Sequence, residues 1–350
     1  MKIAVLVSGG VDSSVALKLL KDQGHDVTAF YLKIWLEDEL SYLGDCPWQE
    51  DLSFVQAVCE QLDVPLRIMS LQKEYQDAIV GYTIEQVTQG KTPNPDMLCN
   101  QRIKFGVFLD AVSSEFDKIA TGHYAQVEET NSGYILKSSP DAIKDQTYFL
   151  AHLSQKQLSK SLFPIGHLTK QELRELAETF DLPTKNRKDS QGICFLGKLK
   201  FSDFIRHHVG ERIGDLVEYE TGAKMGDHKG FWFYTIGQRQ GIGLAGGPWY
   251  VVAKDSDNNI VYISRNYHAG KKRNKLAVGN FNWFSGERPK PKNLSVKLRH
   301  GAYKHDCLIE DMDEKQAIIT LAENDQGIAP GQFAVFYDGD HCLGSAVIIE

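Results

Sequence analysis

The residue types best suited to phosphate chemistry stand near the start of the chain, in the sequence SGGVDSS at residues 8–14. Two glycines allow a ligand to approach the backbone closely, the N–H groups of a following helix point at an anion, and the serines add hydroxyl donors. No lysine comes directly after the glycines, which excludes the loop that grips β- and γ-phosphates in many ATPases and GTPases. The segment predicts a different kind of phosphate cradle. The alternative is an ordinary strand–turn–helix connection.

Two cysteines, Cys99 and Cys194, are candidates for sulfur chemistry. Cys99 precedes Arg102 and Lys104, whose positive charges favour a thiolate. Cys194 lies between glycines in a polar and basic stretch, which predicts that residues 187–200 form a mobile loop with an accessible thiol. A buried structural cysteine is the alternative for both. For Cys99 taken alone it is the better one, because free cysteine is among the most buried residue types.

The segment before Cys99 holds a candidate acid or base, Asp96. Pro93 and Pro95 stand close together, and this pattern predicts a stiff, non-helical loop that presents Asp96 and Cys99. His123 follows a short apolar strand and a glycine, where parallel sheets bind their ligands, although a core histidine is the more common case.

The elements that position these residues alternate between strands and helices. The predicted strands are 2–7, 26–32, 66–70 and 117–124, the predicted hairpin is 126–137, and helices are predicted up to Gly24 and at 50–62, 73–89, 147–158 and 171–180. This alternation predicts an α/β fold with a doubly wound parallel sheet, whose ligands bind at the carboxyl ends of the strands. Leu32, at the end of the second strand, could then offer backbone groups to an adenine.

The pattern changes near residue 200 to short strands with glycine-rich turns. These strands are 231–234, 249–252, 295–298, 317–321, 334–337 and 345–349. They predict a small central β-containing domain followed by a C-terminal β-barrel. We therefore expect three domains, at 1–199, 200–270 and 271–350.

Composition limits the class of protein. The chain has 350 residues, 42% of them hydrophobic, with no apolar run of transmembrane length and no signal-peptide pattern, so we expect a cytoplasmic globular protein with no membrane association. Its six cysteines form no CxxC pair and no zinc spacing, which argues against structural zinc and predicts free thiols unless one is catalytic.

The net charge of −7 does not by itself suggest a nucleic-acid partner, but the charge is unevenly distributed. Residues 271–305 contain ten lysines and arginines and a single acid, Glu287, with aromatic residues between them. Such a stretch predicts contact with a phosphate backbone. The alternative is the solvated face of a β-domain.

The sequence SGGVDSS resembles the pyrophosphate-binding loop (PP-loop) of the ATP pyrophosphatase superfamily, whose members split ATP between the α- and β-phosphates and transfer AMP. Further motifs are NPDMLCN (94–100), TGHY (121–124), KDQ (144–146), GICFLG (192–197), FYTIGQRQGIGL (233–244), PWYVV (248–252) and APGQFAVFY (329–337). In this order and over the whole chain, they resemble the tRNA-specific 2-thiouridylase family. One departure is Arg299-His300, where the family commonly has Arg-Tyr. It lowers the expectation of that contact, but not of the activity.

The resemblance implies a reaction in two stages. ATP would bind with Mg²⁺, and the 2-oxygen of a wobble uridine in tRNA would attack the α-phosphate to give an adenylated base and pyrophosphate. The base would enter beside Asn94, Pro95 and Asp96, with Asp96 as general acid/base. Asp12 is the one carboxylate that could touch the magnesium ion, and no protein metal site is implied. The implied ATP-binding residues are Leu6, Val7, Ser8, Gly9, Gly10, Val11, Asp12, Ser13, Leu32 and Gly122.

Sulfur would then reach C2 of the base from a persulfide on Cys194, supplied by a sulfur-relay protein or a cysteine desulfurase. Cys99 would either release sulfide from the persulfide or attack the base-bound intermediate, and a Cys99–Cys194 disulfide would remain. The implied substrates are the tRNAs for Lys, Glu and Gln. Besides Asn94, Pro95 and Asp96, the implied tRNA contacts are His123, Lys144, Asp145, Gln146, Arg299, His300 and Gln332.

Two other classes of function stay open at this stage. An enzyme of the same superfamily could form a C–N bond through an adenylated carboxylate or amide, but this activity leaves both cysteine motifs unexplained. A non-catalytic tRNA-binding protein is disfavoured, because it has no use for an intact PP-loop together with two thiols.

Overall fold

The computed structural model describes the chain except for residues 35–47, 190–199, 267–273, 289, 291–293, 314, 326 and 350. Cys194 and most of the segment expected to be mobile therefore lie outside the described residues. So do four cations of the basic stretch, which are Lys271, Lys272, Arg273 and Lys292.

The first half of the chain forms a five-stranded parallel sheet. Its strands are β1 (Lys2–Leu6), β2 (Asp26–Lys33), β3 (Leu66–Ser70), β4 (Lys118–Ala120) and β7 (Ser161–Leu162), in the order β3-β2-β1-β4-β7. The side chains of β1 alternate between two cores, with Ile3 and Val5 on one face and Ala4 and Leu6 on the other. Burial of both faces explains why β1 is an unbroken apolar run. The predicted doubly wound parallel sheet is confirmed.

Helices connect the strands and cover both faces of this sheet. They are α1 (Val11–Asp22), α2 (Trp48–Gln61), α3 (72–88), α4 (95–112), α5 (Thr147–Leu150), α6 (Gln155–Ser159), α7 (Lys170–Thr179) and α8 (Phe201–Val209). α1, α2 and α7 contribute to one core, and α3 and α4 contribute to the other. Within the described ranges, no helix has the length and apolar character needed to span a bilayer.

The segment after Pro93 is helical, and the expectation of a stiff, non-helical loop was wrong. α4 begins at Pro95, and the Asn94 side chain accepts a hydrogen bond from the Met97 backbone N–H at 3.1 Å. Proline is tolerated in the first helical position, because the N–H that it lacks would have no partner there. Asp96 therefore lies in the first turn of a helix.

Two other predicted elements also differ from the structure. The helix predicted at 147–158 is divided into α5 and α6, because Ser154 caps α6 through hydrogen bonds exchanged with Gln157. The strand predicted at 231–234 is a 3₁₀ turn, Phe231–Phe233, in which Phe231 is buried in the core of the central domain. Aromatic residues favour strands, but here the packing of Phe231 overrides that preference.

The central part of the chain forms a four-stranded sheet. Its strands are β8 (Gly214–Glu218), β9 (Lys224–His228), β10 (Tyr250–Asp255) and β11 (Ile260–Ser264), in the order β10-β11-β8-β9. The central pair, β11 and β8, is parallel, and the outer pairs are antiparallel. This sheet is the small central β-containing domain that the sequence predicted.

The last part of the chain forms a closed barrel, as expected. Its six strands are β12 (Lys275–Trp283), β13 (Leu294–Lys297), β14 (His305–Asp311), β15 (Gln316–Leu321), β16 (Phe333–Asp338) and β17 (His341–Ile348). β12 pairs with β15 on one side and with β17 on the other, and the second pairing closes the barrel.

The predicted hairpin is present and extends the sheet of the barrel. It consists of β5 (Ala125–Thr130) and β6 (Gly133–Ser138). β6 pairs with β17, through Lys137 with His341 and Leu136 with Cys342. This pairing joins the first half of the chain to the barrel, and no periodicity in the sequence reveals it.

Candidate active site

The PP-loop between β1 and α1 has the geometry of an anion cradle. Gly9 has a φ of 77°, in the left-handed region that favours glycine. The Ser13 hydroxyl donates a hydrogen bond to the Gly10 carbonyl at 3.1 Å and accepts one from the Ser8 backbone N–H at 3.2 Å. These bonds hold the loop in shape, while the first N–H groups of α1 have no acceptor within the helix and are suited to an anion.

Gly122 brings the end of β4 against the start of α1. A Cβ atom at Gly122 would lie 2.7 Å from the Ser13 backbone nitrogen and 2.8 Å from the Asp12 carbonyl carbon. Backbone atoms cannot turn aside as a flexible side chain can, so this approach requires glycine. Leu32 lies at the carboxyl end of β2, beside β1, so all the residues expected to bind ATP occupy one edge of the sheet.

Two neighbours hold Asp12, in the first turn of α1. Tyr124 donates its hydroxyl at 3.0 Å and Lys170 donates its ammonium at 2.7 Å, both to Oδ1. Burial, and then the charge of Asp12, raise the pKa of Tyr124 well above its ordinary value. Tyr124 therefore remains a hydrogen-bond donor at any physiological pH.

Asp189 is the centre of a cationic cluster beside the PP-loop. Its carboxylate lies 2.6 Å from Lys144, 2.7 Å from Lys170 and 2.6 Å from Arg174. Burial alone would raise the pKa of Asp189, but hydrogen bonds from Lys144 and Lys170 outweigh burial and hold the pKa well below its usual range. In this structure carboxylates pair with these cations. Phosphate is the other kind of group that such cations bind.

Two carboxylates lie at this edge, Asp12 and Asp189, and both are paired with Lys170. Among the described residues, no group of three or more His, Cys, Asp or Glu side chains could hold a metal ion. A magnesium ion here would need phosphate oxygens as ligands, to which Asp12 could add one carboxylate oxygen.

Gln332 joins the start of α4 to the barrel. Its side-chain amide donates hydrogen bonds to the carbonyls of Thr92 at 3.2 Å and Pro93 at 3.1 Å, and its oxygen accepts from the Asn94 amide at 3.4 Å. The Thr92 N–H donates to the Pro330 carbonyl at 2.7 Å. These bonds fix the entry to α4, and a contact of Gln332 with tRNA stays a prediction.

Cys99 is buried in α4, with 1% of its surface exposed. Burial raises the pKa of the Cys99 thiol to about 11, and the nearby Lys104 offsets only part of this. Arg102 donates instead to the Ala78 carbonyl at 3.0 Å. The pKa is thus shifted in the direction opposite to that expected from two cations close in sequence. In this conformation Cys99 is a protonated thiol, and Asp96 lies one turn before it, partly buried.

His123 connects the edge of the sheet to α4. The Phe163 ring packs edge-on against the rings of His123, at 5.9 Å, and Phe105, at 6.1 Å. His123 Nδ1 lies 2.6 Å from the Thr121 hydroxyl. Burial, and then the positive charge of Lys104, lower the pKa of His123 well below its ordinary value, so its ring is neutral at physiological pH.

The segment 144–146 is fixed from two sides. Asp145 forms an ion pair with Lys297 at 2.7 Å, and both side chains are only 2% exposed. Gln146 accepts a hydrogen bond from the Tyr124 backbone N–H at 3.0 Å. Because it is buried, the Asp145 carboxylate cannot contact tRNA directly in this conformation. Burial also removes Lys297 from the exposed basic surface that the charge pattern predicted.

Arg299 and His300 follow directly after β13 and are both exposed. Arg299 makes two hydrogen bonds to Asp325, at 2.7 and 2.8 Å. The His300 ring stacks on Phe149, with 4.9 Å between the ring centroids and 25° between the planes. A supported, exposed ring can stack with a base, so histidine in place of the common tyrosine retains this property.

The chain is similar to known proteins over nearly all of its residues. Three family models match in order: a tRNA methyl transferase HUP domain at residues 1–198, a tRNA methyl transferase PRC-barrel domain at 202–265 and an aminomethyltransferase beta-barrel domain at 273–348. The tRNA-specific 2-thiouridylase MnmA of Parabacteroides distasonis is 46% identical over 100% of this chain and 99% of its own. The MnmA of Porphyromonas gingivalis is 44% identical over the same shares. The chain belongs to the tRNA-specific 2-thiouridylase family.

Membership of the 2-thiouridylase family confirms the resemblance seen in the motifs. Among solved structures, an NMN synthetase from Francisella tularensis is 16% identical, with a TM-score of 0.37 over 60% of this chain and 77% of its own. That weak similarity adds nothing to the assignment. The matching models carry methyl transfer in their names, whereas the full-length relatives are named for thiolation.

Sequence reasoning did not single out three residues that hold this site together. Tyr124 lies within a recognised motif, but its hydroxyl contact with Asp12 could not be foreseen. Lys170 and Lys297 are far in sequence from the carboxylates that they bind. The one available signal was the capping box at Thr169, which locates the start of α7 and hence the position of Lys170.

Proposed function

We propose that this member of the 2-thiouridylase family is an ATP-dependent tRNA-uridine 2-sulfurtransferase. It replaces the 2-oxygen of a wobble uridine by sulfur and releases AMP and pyrophosphate. The observation that supports this most strongly is that Leu6 of β1, which precedes the PP-loop, and Cys99 of α4 belong to the same hydrophobic core. Adenylation followed by sulfur transfer needs a phosphate cradle, an acid or base and a thiol, and the chain supplies the PP-loop, Asp96 and Cys99 for these roles.

The first step activates C2 of the base. The uridine 2-oxygen attacks the α-phosphorus of ATP, the bond from that phosphorus to the bridging oxygen breaks, and pyrophosphate leaves. The PP-loop holds the leaving pyrophosphate, with Leu32 and Gly122 on the nucleoside side. Asp96 is the proposed group that accepts and returns the proton of the base.

The second step transfers sulfur. The terminal sulfur of a Cys194 persulfide attacks C2, the C2–O bond breaks, and AMP leaves. Cys99, a protonated thiol in the described conformation, then loses its proton and attacks the Cys194 sulfur as a thiolate, and the electron pair of the broken S–S bond goes to the sulfur on the base. In the other order, Cys99 first releases hydrosulfide, which attacks C2. Either route leaves 2-thiouridine and a Cys99–Cys194 disulfide, which an external thiol reduces.

ATP acts with Mg²⁺, because the charge of the phosphates must be neutralised during transfer. The substrates are the tRNAs for Lys, Glu and Gln, and the persulfide comes from a sulfur-relay protein or a cysteine desulfurase. The reaction takes place in the cytoplasm, where reducing thiols restore the cysteines. The domain boundaries are those expected from the sequence, at 1–199, 200–270 and 271–350.

The proposed tRNA surface includes Lys144, Gln146 and exposed residues of the barrel. The exposed cations Lys275, Arg288, Lys290 and Arg299 supply positive charge for the phosphate backbone. The stacked ring of His300 lies beside Arg299 and can receive an unstacked base of the anticodon loop.

Mass spectrometry of nucleosides tests this function. Unmodified tRNA is incubated with the protein, MgATP and a persulfide donor, and the wobble nucleoside is compared for the wild type, Cys99→Ser and Cys194→Ser, with and without ATP. We expect 2-thiouridine only from the wild type with ATP. Cys59→Ser is the matched control, because Cys59 is also buried but lies in α2, and it should leave the yield unchanged.

Other products would identify other functions. Cleavage of ATP to AMP with no sulfur in tRNA, despite a competent donor, would contradict thiolation and favour the enzyme that forms a C–N bond. A methylated uridine has a different mass from 2-thiouridine and would favour the activity in the names of the family models. Binding of tRNA without any ATP cleavage would favour the non-catalytic protein.

A further inference from the structure

Arg187, the first residue of the segment predicted to be mobile, contacts the PP-loop and belongs to none of the family motifs. Its Nη1 donates a hydrogen bond to the Gly9 carbonyl at 2.7 Å. Its Nη2 donates to Asp51 Oδ1 at 2.8 Å, so one guanidinium joins the loop to α2. A charged donor on a loop carbonyl is a strong hydrogen bond, because the positive charge shortens and strengthens it.

Two side-chain contacts and one backbone contact hold Arg187 in place before any ligand binds. Besides the ion pair with Asp51, it lies 4.4 Å from the centre of the Phe54 ring. The Arg187 backbone N–H also donates to the Thr184 carbonyl at 3.0 Å, in the turn after α7. The side chains of Arg187 and Asp51 are 21% and 24% exposed, so water screens this pair only in part.

The hydrogen bond from Arg187 determines the orientation of the peptide group between Gly9 and Gly10. In a trans peptide the C=O and N–H bonds point in opposite directions, so a Gly9 carbonyl held by Arg187 directs the Gly10 N–H to the opposite side. A Cβ atom on Gly9 would lie 2.9 Å from Arg187 Nη1 and 2.6 Å from the Asp51 carbonyl oxygen. Arg187 and the Asp51 backbone therefore fill the space on one side of Gly9.

We propose that Arg187 is a positioning residue for ATP, which fixes the Gly9–Gly10 peptide so that the Gly10 N–H is presented to the pyrophosphate part of the nucleotide. Arg187 acts through the loop, because its guanidinium is directed at the Gly9 carbonyl and at Asp51. Without it, the peptide can turn and offer a carbonyl oxygen to the phosphates instead of an N–H. The inference rests on the proposed function in one respect, that ATP is the ligand of the PP-loop.

This role predicts a selective loss of affinity. Ligands that carry a pyrophosphate group depend on the Gly10 N–H, whereas AMP has no such group. A merely structural role, in which Arg187 only supports folding, would weaken pyrophosphate and AMP alike. The ratio of the two affinities therefore separates positioning from general support.

Isothermal titration calorimetry of the full chain without tRNA provides the test, with α,β-methylene-ATP and Mg²⁺, inorganic pyrophosphate, and AMP as separate probes. For Arg187→Gln we expect the first two to bind about tenfold more weakly, with AMP changed by less than about twofold. Arg187→Lys keeps one charged donor and should recover part of the loss. Arg67→Gln is the matched control, because Arg67 also pairs with a carboxylate, Glu115, at 2.7 Å, and lies over a phenylalanine ring.

The outcomes distinguish the inference from the function on which it rests. Equal weakening of pyrophosphate and AMP, or no change in any probe, would overturn the role of Arg187 while leaving the proposed function intact. If the wild type itself binds neither the ATP analogue nor pyrophosphate, the proposed function fails, and the role of Arg187 fails with it.

Discussion

The two ion-pair systems that flank the candidate active site differ in their access to water. At the PP-loop, Lys170 bridges Asp12 and Asp189, and these three side chains are 16%, 32% and 25% exposed. At the barrel junction, Lys297 and Asp145 are each 2% exposed. A partly solvated cation can exchange a carboxylate for a phosphate, whereas a sealed pair is out of reach of a ligand from solution. One end of the site is thus suited to rearrangement around a ligand, and the other to holding the two halves of the chain together.

The largest effect is expected at the sealed pair. Lys297→Met leaves the Asp145 carboxylate buried without its cation, and removal of one partner from such a pair costs about 3–5 kcal/mol of unfolding free energy. Urea denaturation followed by tryptophan fluorescence measures this. Lys290→Met is the control, because Lys290 is exposed, and it should cost less than about 0.5 kcal/mol. Equal losses for the two variants would show that Lys297 is not sealed in solution.

The next largest effect concerns the reactivity of Cys99. Its pKa of about 11, against an ordinary value of 9.0, gives about a hundredfold less thiolate than an exposed cysteine at neutral pH. Alkylation of Cys99 by iodoacetamide should therefore be slow at pH 7 and rise about tenfold per pH unit, until the pH approaches the pKa. Peptide mass spectrometry over a pH series measures the rate. Fast labelling that does not change with pH would indicate a preformed thiolate.

A smaller effect is expected where β4 meets the PP-loop. Gly122→Ala forces a methyl group against backbone atoms of Asp12 and Ser13, and such overpacking costs about 1–3 kcal/mol of unfolding free energy. Gly81→Ala is the control, because the nearest atom to its new Cβ is 3.7 Å away and alanine favours helix. Thermal unfolding of both variants makes the comparison. If Gly122→Ala lowers the stability no more than Gly81→Ala does, α1 moves aside freely to make room for the new methyl group.

The smallest effect is expected at the solvated system. Lys170→Met should lower the unfolding free energy by about 1 kcal/mol at low ionic strength, because a partly exposed ion pair contributes little. Salt at about 1 M screens the pair and should reduce that loss, while the loss in Lys297→Met stays unchanged. Denaturation of both variants at two salt concentrations sharpens the contrast. The same salt dependence in both would remove the distinction drawn between the two systems.

Patterns among residues close in sequence were sufficient to predict most strands and helices of the first half of the chain. The apolar run of β1, the glycine turn and the period of α1 all depend on residues close in sequence, and the strand at Leu66–Ser70 agrees with the structure at both ends. The errors arose where local rules compete. Proline forbids a helix interior but is accepted at its first position, and this rule favoured a loop where Pro95 begins α4.

The candidate site was predictable only as a set of motifs. The PP-loop could be read from residues 8–14, because its chemistry lies in consecutive residues. The burial of Cys99 could not, since it depends on side chains from several other elements that surround α4. Counting charges likewise placed Lys297 on the surface, because the carboxylate that neutralises it, Asp145, lies about 150 residues earlier in the chain.

The pairing of β6 with β17 also imposes an order on synthesis and folding. The hairpin leaves the ribosome with the first half of the chain, but its partner strand is made some 200 residues later. Until then β6 has an open edge with unpaired backbone groups, and such edges pair readily with strands of other molecules. The newly made chain therefore carries a risk of aggregation at this edge of β6 in the interval between the two strands, and completion of β17 ends that risk.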